Sequence, residues 1–173
     1  MKRLFLALAF MLAGATMASA QTVVVVRHAE KTADSVDPGL SEAGQARAAE
    51  LAQALSGAGV THVFVTPLAR TRGTAAPTAQ AAGLQSIDVD LGGGVSTHVG
   101  RIVEQVRALP QESVVLIVGH SNTVPAIVRG LGGEAVEMTE CEYDRLTVLS
   151  LRDDGAGTVR ARYGAATEPC ATQ

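Results

Sequence analysis

Two arginines and two histidines stand where strands of this chain would end. The stretch "VVVVRHAEK", Val23 to Lys31, runs four β-branched residues straight into Arg27 and His28. "THVFV", 61–65, leads through "TPLAR" to Arg70, and "SVVLIVG", 113–119, stops at His120. A solvent turn would more naturally use Gly, Asn, Asp or Pro. Guanidinium forks bind anionic oxygens bidentately, and their charge stabilises a phosphoryl group in transfer. The same cations disfavour protonation of a nearby imidazole and so keep it in its neutral, nucleophilic form. These residue types suit a phosphoryl ligand, with His28 as nucleophile, Arg27 and Arg70 as phosphate-binding groups, and His120 as phosphate ligand and transition-state stabiliser. Spacing alone does not separate covalent catalysis from simple anion binding.

The elements that must position these residues alternate in type. Val23 to Val26 is a continuous apolar run, as expected of a strand covered on both faces. Leu40, Gly44, Ala48, Leu51 and Leu55 recur at helical spacing, with Ser41 placed to cap the start and Gly57 and Gly59 to end it. A second strand, 61–65, precedes an alanine-rich helix from about Ala69 to Ala82, bent at Pro77. "SIDVD", 86–90, is a weaker strand; after Gly92-Gly93-Gly94 comes a helix over His98 to Leu109, then the strand 113–119 and a helix over Thr123 to Leu131. Leu146 to Leu151 and Val159 to Tyr163 flank the turn-rich "DDGAG" and predict a hairpin. This order predicts a three-layer α/β/α sandwich on a mostly parallel sheet with an antiparallel C-terminal element. Ligands of such sheets sit beyond the carboxyl ends of the strands, so all three charged exits belong to one rim.

Residues 1–20 are set aside from the fold. Lys2 and Arg3, the apolar run Leu4 to Leu12 and the small residues Ala18-Ser19-Ala20 have the three parts of a secretory signal peptide. The run is short of the ~20 apolar residues that a membrane span requires. The expectation is cleavage near Ala20 and an exported chain, periplasmic or secreted, without a membrane anchor, whose residues 21–173 form a single domain. Removal of Lys2 and Arg3 takes the formal charge from −3 to −5, which offers no general attraction to nucleic acid or anionic lipid. A small phosphorylated substrate is the expected partner. Oligomeric state is not legible in the sequence. Cys141 and Cys170 are the only cysteines, and in an oxidising compartment a bridge between them would stabilise the fold by about 3–4 kcal/mol.

Four motifs in order carry a family resemblance. "VVRHAEK", "LSEAGQARA", "TPLARTRGTA" and "VGHSN", spread over about 23–129, resemble the signature segments of the histidine phosphatase superfamily, the phosphoglycerate-mutase-like proteins. The resemblance implies a phosphohistidine intermediate on His28, phosphate binding by Arg27, Arg70 and His120, and chemistry needing neither metal nor cofactor. It implies a phosphoric-monoester hydrolase acting on a phosphomonoester or a phosphoamide.

Many relatives place a Glu or Asp after the second arginine motif to protonate the leaving oxygen. Here Asp88 and Asp90 are the candidates for that general acid. Glu30, Ser121, Asn122 and Tyr143 are candidate pocket residues, Ser121 and Asn122 because they stand at a helix start where backbone N–H groups can meet phosphate. Arg72 reads as a solvated helix residue and His98 as a surface or capping residue. His62, at the start of its strand, belongs to the opposite edge of the sheet.

Other functions use the same residues differently. A metallohydrolase would draw on His28, Glu30 and His120, but leaves two arginines repelling the metal. A phosphate-binding or signalling module would keep the clamp without turnover. A phosphomutase has little sequence here for a substrate-enclosing insertion.

Overall fold

Val23 and Val25 enter one hydrophobic cluster and Val24 and Val26 another, as a strand covered on both faces must divide its side chains. They lie on β1 (Gln21–Arg27) in a computed structural model that describes residues 20–33, 35–167 and 170. The other elements are α1 (Glu42–Ala54), β2 (His62–Val65), α2 (Ala69–Ala81), β3 (Ile87–Asp88), α3 (Gly94–Arg107), β4 (Val114–Gly119), α4 (Thr123–Gly130), β5 (Arg145–Arg152) and β6 (Gly155–Arg162). The six-stranded sheet has the order β3-β2-β4-β1-β5-β6. Its first four strands run parallel, and β5 is antiparallel to both β1 and β6. Residues of α1 and α2 pack with Val24 and Val26, whereas α3 and α4 pack with Val23 and Val25. The result is an α/β/α sandwich.

Adjacent strands β1 and β4 send their following helices to opposite faces. The crevice between their carboxyl ends is therefore the topological switch point of the sheet. Register brings the two histidines there. Arg27 pairs with Gly119 as the last residues of the ladder, and His28 N–H extends it to Gly119 O at 2.9 Å. His28 and His120 are thus the next residues out on neighbouring strands. Gly119 lets β4 turn directly into the following helix, since a Cβ there would lie 2.8 Å from Thr123 Oγ1.

Ser41 caps α1 by accepting Gly44 N–H at 3.2 Å, with Glu42 in the first turn. Two boundaries differ from expectation. Helix α3 begins at Gly94 rather than His98, because Gly93, at φ +88°, turns the chain and its carbonyl accepts Thr97 Oγ1. His98 therefore falls on the stripe with Ile102 and Val106 and is 0% exposed, a core residue rather than a surface or capping one. The hairpin strands run inward to Arg152 and Gly155, leaving only Asp153-Asp154 at the tip. Gly155, at φ +149°, permits this reversal.

The predicted signal segment lies, apart from Ala20, outside the described residues. No described helix is long and apolar enough to cross a membrane. Cys141 and Cys170 are joined by a disulfide, Cα–Cα 5.2 Å.

Candidate active site

A pocket of about 470 Å³ opens at the switch point, lined by Arg27, His28, Arg70 and His120 together with Ser121, Asn122 and Glu140. Larger or better enclosed hollows lie elsewhere, such as one between the ends of α1 and α2 lined by Leu55, Gly57 and Thr78, but they gather no comparable set of charged and imidazole groups. The four residues read from three separate strand exits therefore share one cavity. The imidazole centroids of His28 and His120 are 5.3 Å apart.

Hydrogen bonding fixes the chemistry of His28. Its Nδ1 lies 2.8 Å from Ala29 O, and a carbonyl only accepts, so Nδ1 carries the proton. In the neutral ring the lone pair is then on Nε2. Burial lowers the His28 pKa to about 4, helped by Arg27 and Arg70, while the Ala29 carbonyl and Glu140 pull the other way. His28 is a neutral base at neutral pH. Burial also lowers His120, to about 3, assisted by His28, Arg70, His98 and Arg27. Both imidazoles sit uncharged between two guanidiniums.

The arginines are held by different partners. Arg27 is 2% exposed, and its Nη1 donates to the carbonyls of Thr139 (3.1 Å), Glu140 (2.5 Å) and Glu142 (3.3 Å) while Nη2 pairs with Glu140 Oε2 at 2.9 Å. Tyr143 covers the Arg27 guanidinium, its ring centroid 4.2 Å from Cζ and 6.2 Å from that of His28, and lines the neighbouring hollow that also includes Glu140 rather than the His28–His120 pocket itself. Arg70 lies 3.7 Å from Asp37, whose carboxylate also accepts the first N–H of α2, Ala69 N, at 3.0 Å. Arg27 Nε and Arg70 Nε are buried donors without a protein acceptor among the described residues.

Asp88 and Asp90 do not reach this site. Asp88 is tied to Arg72 and Asp90 to Arg101 at 3.1 Å, both on the surface, and neither lines the pocket. The short β3 ends under a surface ion pair rather than over the crevice. The carboxylate that does enter is Glu140, on the segment after α4. Its side chain is 79% exposed and accepts Ser121 Oγ at 2.5 Å. That hydrogen bond and the Arg27 charge hold Glu140 below the usual carboxylate range. Sequence reasoning passed over it because no strand or motif marks the segment.

Glu30 turns away from the pocket. It accepts from Arg47 Nε and Nη2 at 2.8–3.0 Å, and Arg47 Nη1 donates on to Tyr163 O and Ala165 O. Glu30 thus anchors β1 to α1 and to the C-terminal segment. The ligand set His28, Glu30 and His120 does not converge. Among the described residues no group of three or more His, Cys, Asp or Glu is placed to hold a metal ion.

Three threonines of "TPLARTRGTA" complete the site. Thr74 Oγ1 accepts Ala29 N–H at 2.8 Å and donates to Arg70 O at 2.7 Å, joining the His28 turn to the Arg70 helix. Thr66 Oγ1 lies 3.1 Å from His120 Nε2 and 2.9 Å from Thr71 Oγ1. Threonines inside a helix compete with its backbone for hydrogen bonds, and that was the available signal for Thr71 and Thr74; Thr66, between β2 and α2, carried none.

Comparison with known proteins shows what the chain is similar to. The sequence model of the histidine phosphatase superfamily (branch 1) matches residues 23–91. Among solved structures, a protein histidine phosphatase SixA complexed with tungstate superposes with a TM-score of 0.63 at 18% identity, covering 82% of this chain and 96% of that one. A putative phosphohistidine phosphatase SixA from Nakamurella multipartitia gives 0.57 at 26% identity, covering 86% and 98%. A phosphoserine phosphatase from Entamoeba histolytica, in complex with 3-phosphoglyceric acid, gives 0.55 at 14%, covering 84% and 98%. No curated protein matches by sequence. The motifs, the fold and the family model point the same way: over residues 23–91 this chain is similar to the histidine phosphatase superfamily, and over most of its length it shares the fold of these solved phosphatases.

Proposed function

We propose that the protein is a metal-independent phosphatase that hydrolyses a phosphomonoester or phosphoamide through a phosphohistidine on His28. The observation that carries this reading is the His28 ring itself: Nδ1–H is committed to Ala29 O, which leaves the Nε2 lone pair in a pocket shared with Arg27, Arg70 and His120. Nε2 attacks phosphorus as the bond to the leaving oxygen or nitrogen breaks. Water then attacks the phosphohistidine, releasing phosphate and restoring the neutral ring. The two guanidiniums stabilise the charge spread over the equatorial oxygens in both steps.

The neighbours' names favour the phosphoamide class. Two are described as histidine or phosphohistidine phosphatases. With Asp88 and Asp90 removed as acids, leaving groups that need little protonation are favoured as well: phenols, or nitrogen already able to take a proton. We also propose that the chain is exported after cleavage near Ala20, a reading supported by the Cys141–Cys170 bridge.

The test is phosphate release from phosphohistidine, aryl phosphates and alkyl phosphates by the wild type and by His28→Ala. The expected order is phosphoamide and aryl ahead of alkyl, with activity lost in the variant. Binding of phosphate without turnover of any substrate would instead support a phosphate-binding module.

A further inference from the structure

The hydrogen bonds behind His120 settle where its proton sits. Thr71 Oγ1 lies 2.9 Å from two carbonyls, Thr66 O and Leu68 O, and must donate its single hydrogen to one of them. It can therefore only accept from Thr66 Oγ1, at 2.9 Å. With its own hydrogen spent on Thr71, Thr66 Oγ1 can only accept from His120 Nε2, at 3.1 Å. Thr66 and Thr71 are 1% and 0% exposed, so water does not supply an alternative. The neutral His120 ring is thus the Nε2–H tautomer. Its Nδ1 has no protein partner among the described residues and is not one of the sealed unpaired atoms, so the bare lone pair is open to the pocket that His120 lines.

A lone pair repels a phosphoryl oxygen. We propose that the Thr71–Thr66 relay makes His120 take up a proton at Nδ1 whenever a dianionic phosphoryl group enters the pocket, turning it from acceptor to donor only in the occupied site. The inference rests on the reading of the pocket as an anion clamp and adds to it Thr66 and Thr71 as positioning residues. Before the anion arrives burial opposes protonation of His120, as do His28 and Arg27 from β1, Arg70 from α2 and His98 from α3; of the other charged groups in the pocket, Lys31 adds positive charge, and the Glu140 carboxylate after α4, which would favour imidazolium, is engaged by Arg27 and Ser121. The dianion reverses this balance, since opposite charge at hydrogen-bond distance favours imidazolium. The proton comes from solvent or from a substrate monoanion. No bond other than N–H and its donor's bond changes. Free, the site holds two neutral imidazoles; occupied, it holds one imidazolium at Nδ1 of His120 beside the nucleophilic Nε2 of His28.

Sulfate is the probe, because it stays a dianion across the neutral range and contributes no proton of its own. Calorimetry of sulfate binding in buffers of different ionisation enthalpy reads the protons taken up. The wild type and Thr66→Ser should take up about one proton per sulfate, with affinity falling about tenfold per pH unit from about pH 4 through neutrality, above the free-site pKa of about 3. Thr66→Val leaves Nε2 without its acceptor, so the ring can present Nδ1–H while neutral; sulfate should then bind with little uptake and a flat pH dependence. Nitrogen NMR of the free wild type should show His120 protonated on Nε2 and bare on Nδ1, a readout independent of how the valine variant folds. Uptake that persists in Thr66→Val would place the proton elsewhere and overturn the proposal, as would binding without uptake in the wild type or the opposite tautomer. A wild type that binds no sulfate yet retains His28-dependent hydrolysis would also overturn it while leaving the phosphatase reading intact. Loss of both would remove the clamp itself.

Discussion

On one side of the pocket, the rim carrying His28 and His120 continues a parallel ladder that pairs Arg27 with Gly119 and is closed by His28 N–H on Gly119 O. On the other, Thr139 to Tyr143 belongs to no strand; it holds Arg27 through three carbonyls, and is itself held by the Cys141–Cys170 bridge and by Glu142 on Arg145 at 2.6 Å. The ladder wall is fixed by backbone geometry inside two hydrophobic clusters. The loop wall is fixed by side chains and one covalent link. The difference teaches that the two histidines sit where backbone pairing and buried packing both hold the chain, whereas the second wall is a separable support for one guanidinium.

The comparison can be sharpened by variants taken from the largest expected effect downward. Arg70→Ala removes a guanidinium from the ladder side and should lower kcat/KM by about 10²–10³-fold with little change in thermal unfolding, measured by steady-state kinetics beside calorimetry. Opening the loop wall with Cys141→Ser and Cys170→Ser together should cost about 3–4 kcal/mol in denaturant unfolding, yet lower activity of the folded protein by less than about tenfold. Were that double variant as inactive as Arg70→Ala while still folded, the two walls would not be separable. Glu140→Gln should be milder. It takes a negative charge away from the anion site but leaves the three carbonyls on Arg27, so KM should fall by about two- to fivefold with kcat nearly unchanged. Smallest of all, Asp88→Asn and Asp90→Asn should leave hydrolysis within about twofold, since both carboxylates serve exposed ion pairs away from the pocket.

The ladder wall was also the legible one. Apolar runs ending in Arg27-His28 and in His120 carry their own signal, because a buried strand has one direction of exit and parallel strands share it. Arg70 was readable for the same reason, one short turn beyond β2. The loop wall gave no such signal: Arg27 and Glu140 are 113 positions apart, and nothing periodic announces their contact. Asp88 and Asp90 misled because strand exits were the rule that worked. Here β3 is an edge strand only two residues long, so its end lies over solvent and surface arginines instead of the crevice. Glu30 stands beside His28 in sequence but belongs to Arg47, since the chain turns as it leaves the sheet. His98 was hidden by a helix boundary, four residues early, that moved it from the expected surface or capping position into the core.

The central claim is that His28 Nε2 becomes phosphorylated during turnover. The most direct measurement is to mix the protein with a labelled aryl phosphate or phosphoamide, quench in base within the first turnovers and map the label by peptide mass. The account predicts an acid-labile, base-stable label on the peptide containing His28, formed as fast as product and absent from His28→Ala. Steady hydrolysis with no label at His28, or full activity in His28→Ala, would contradict it.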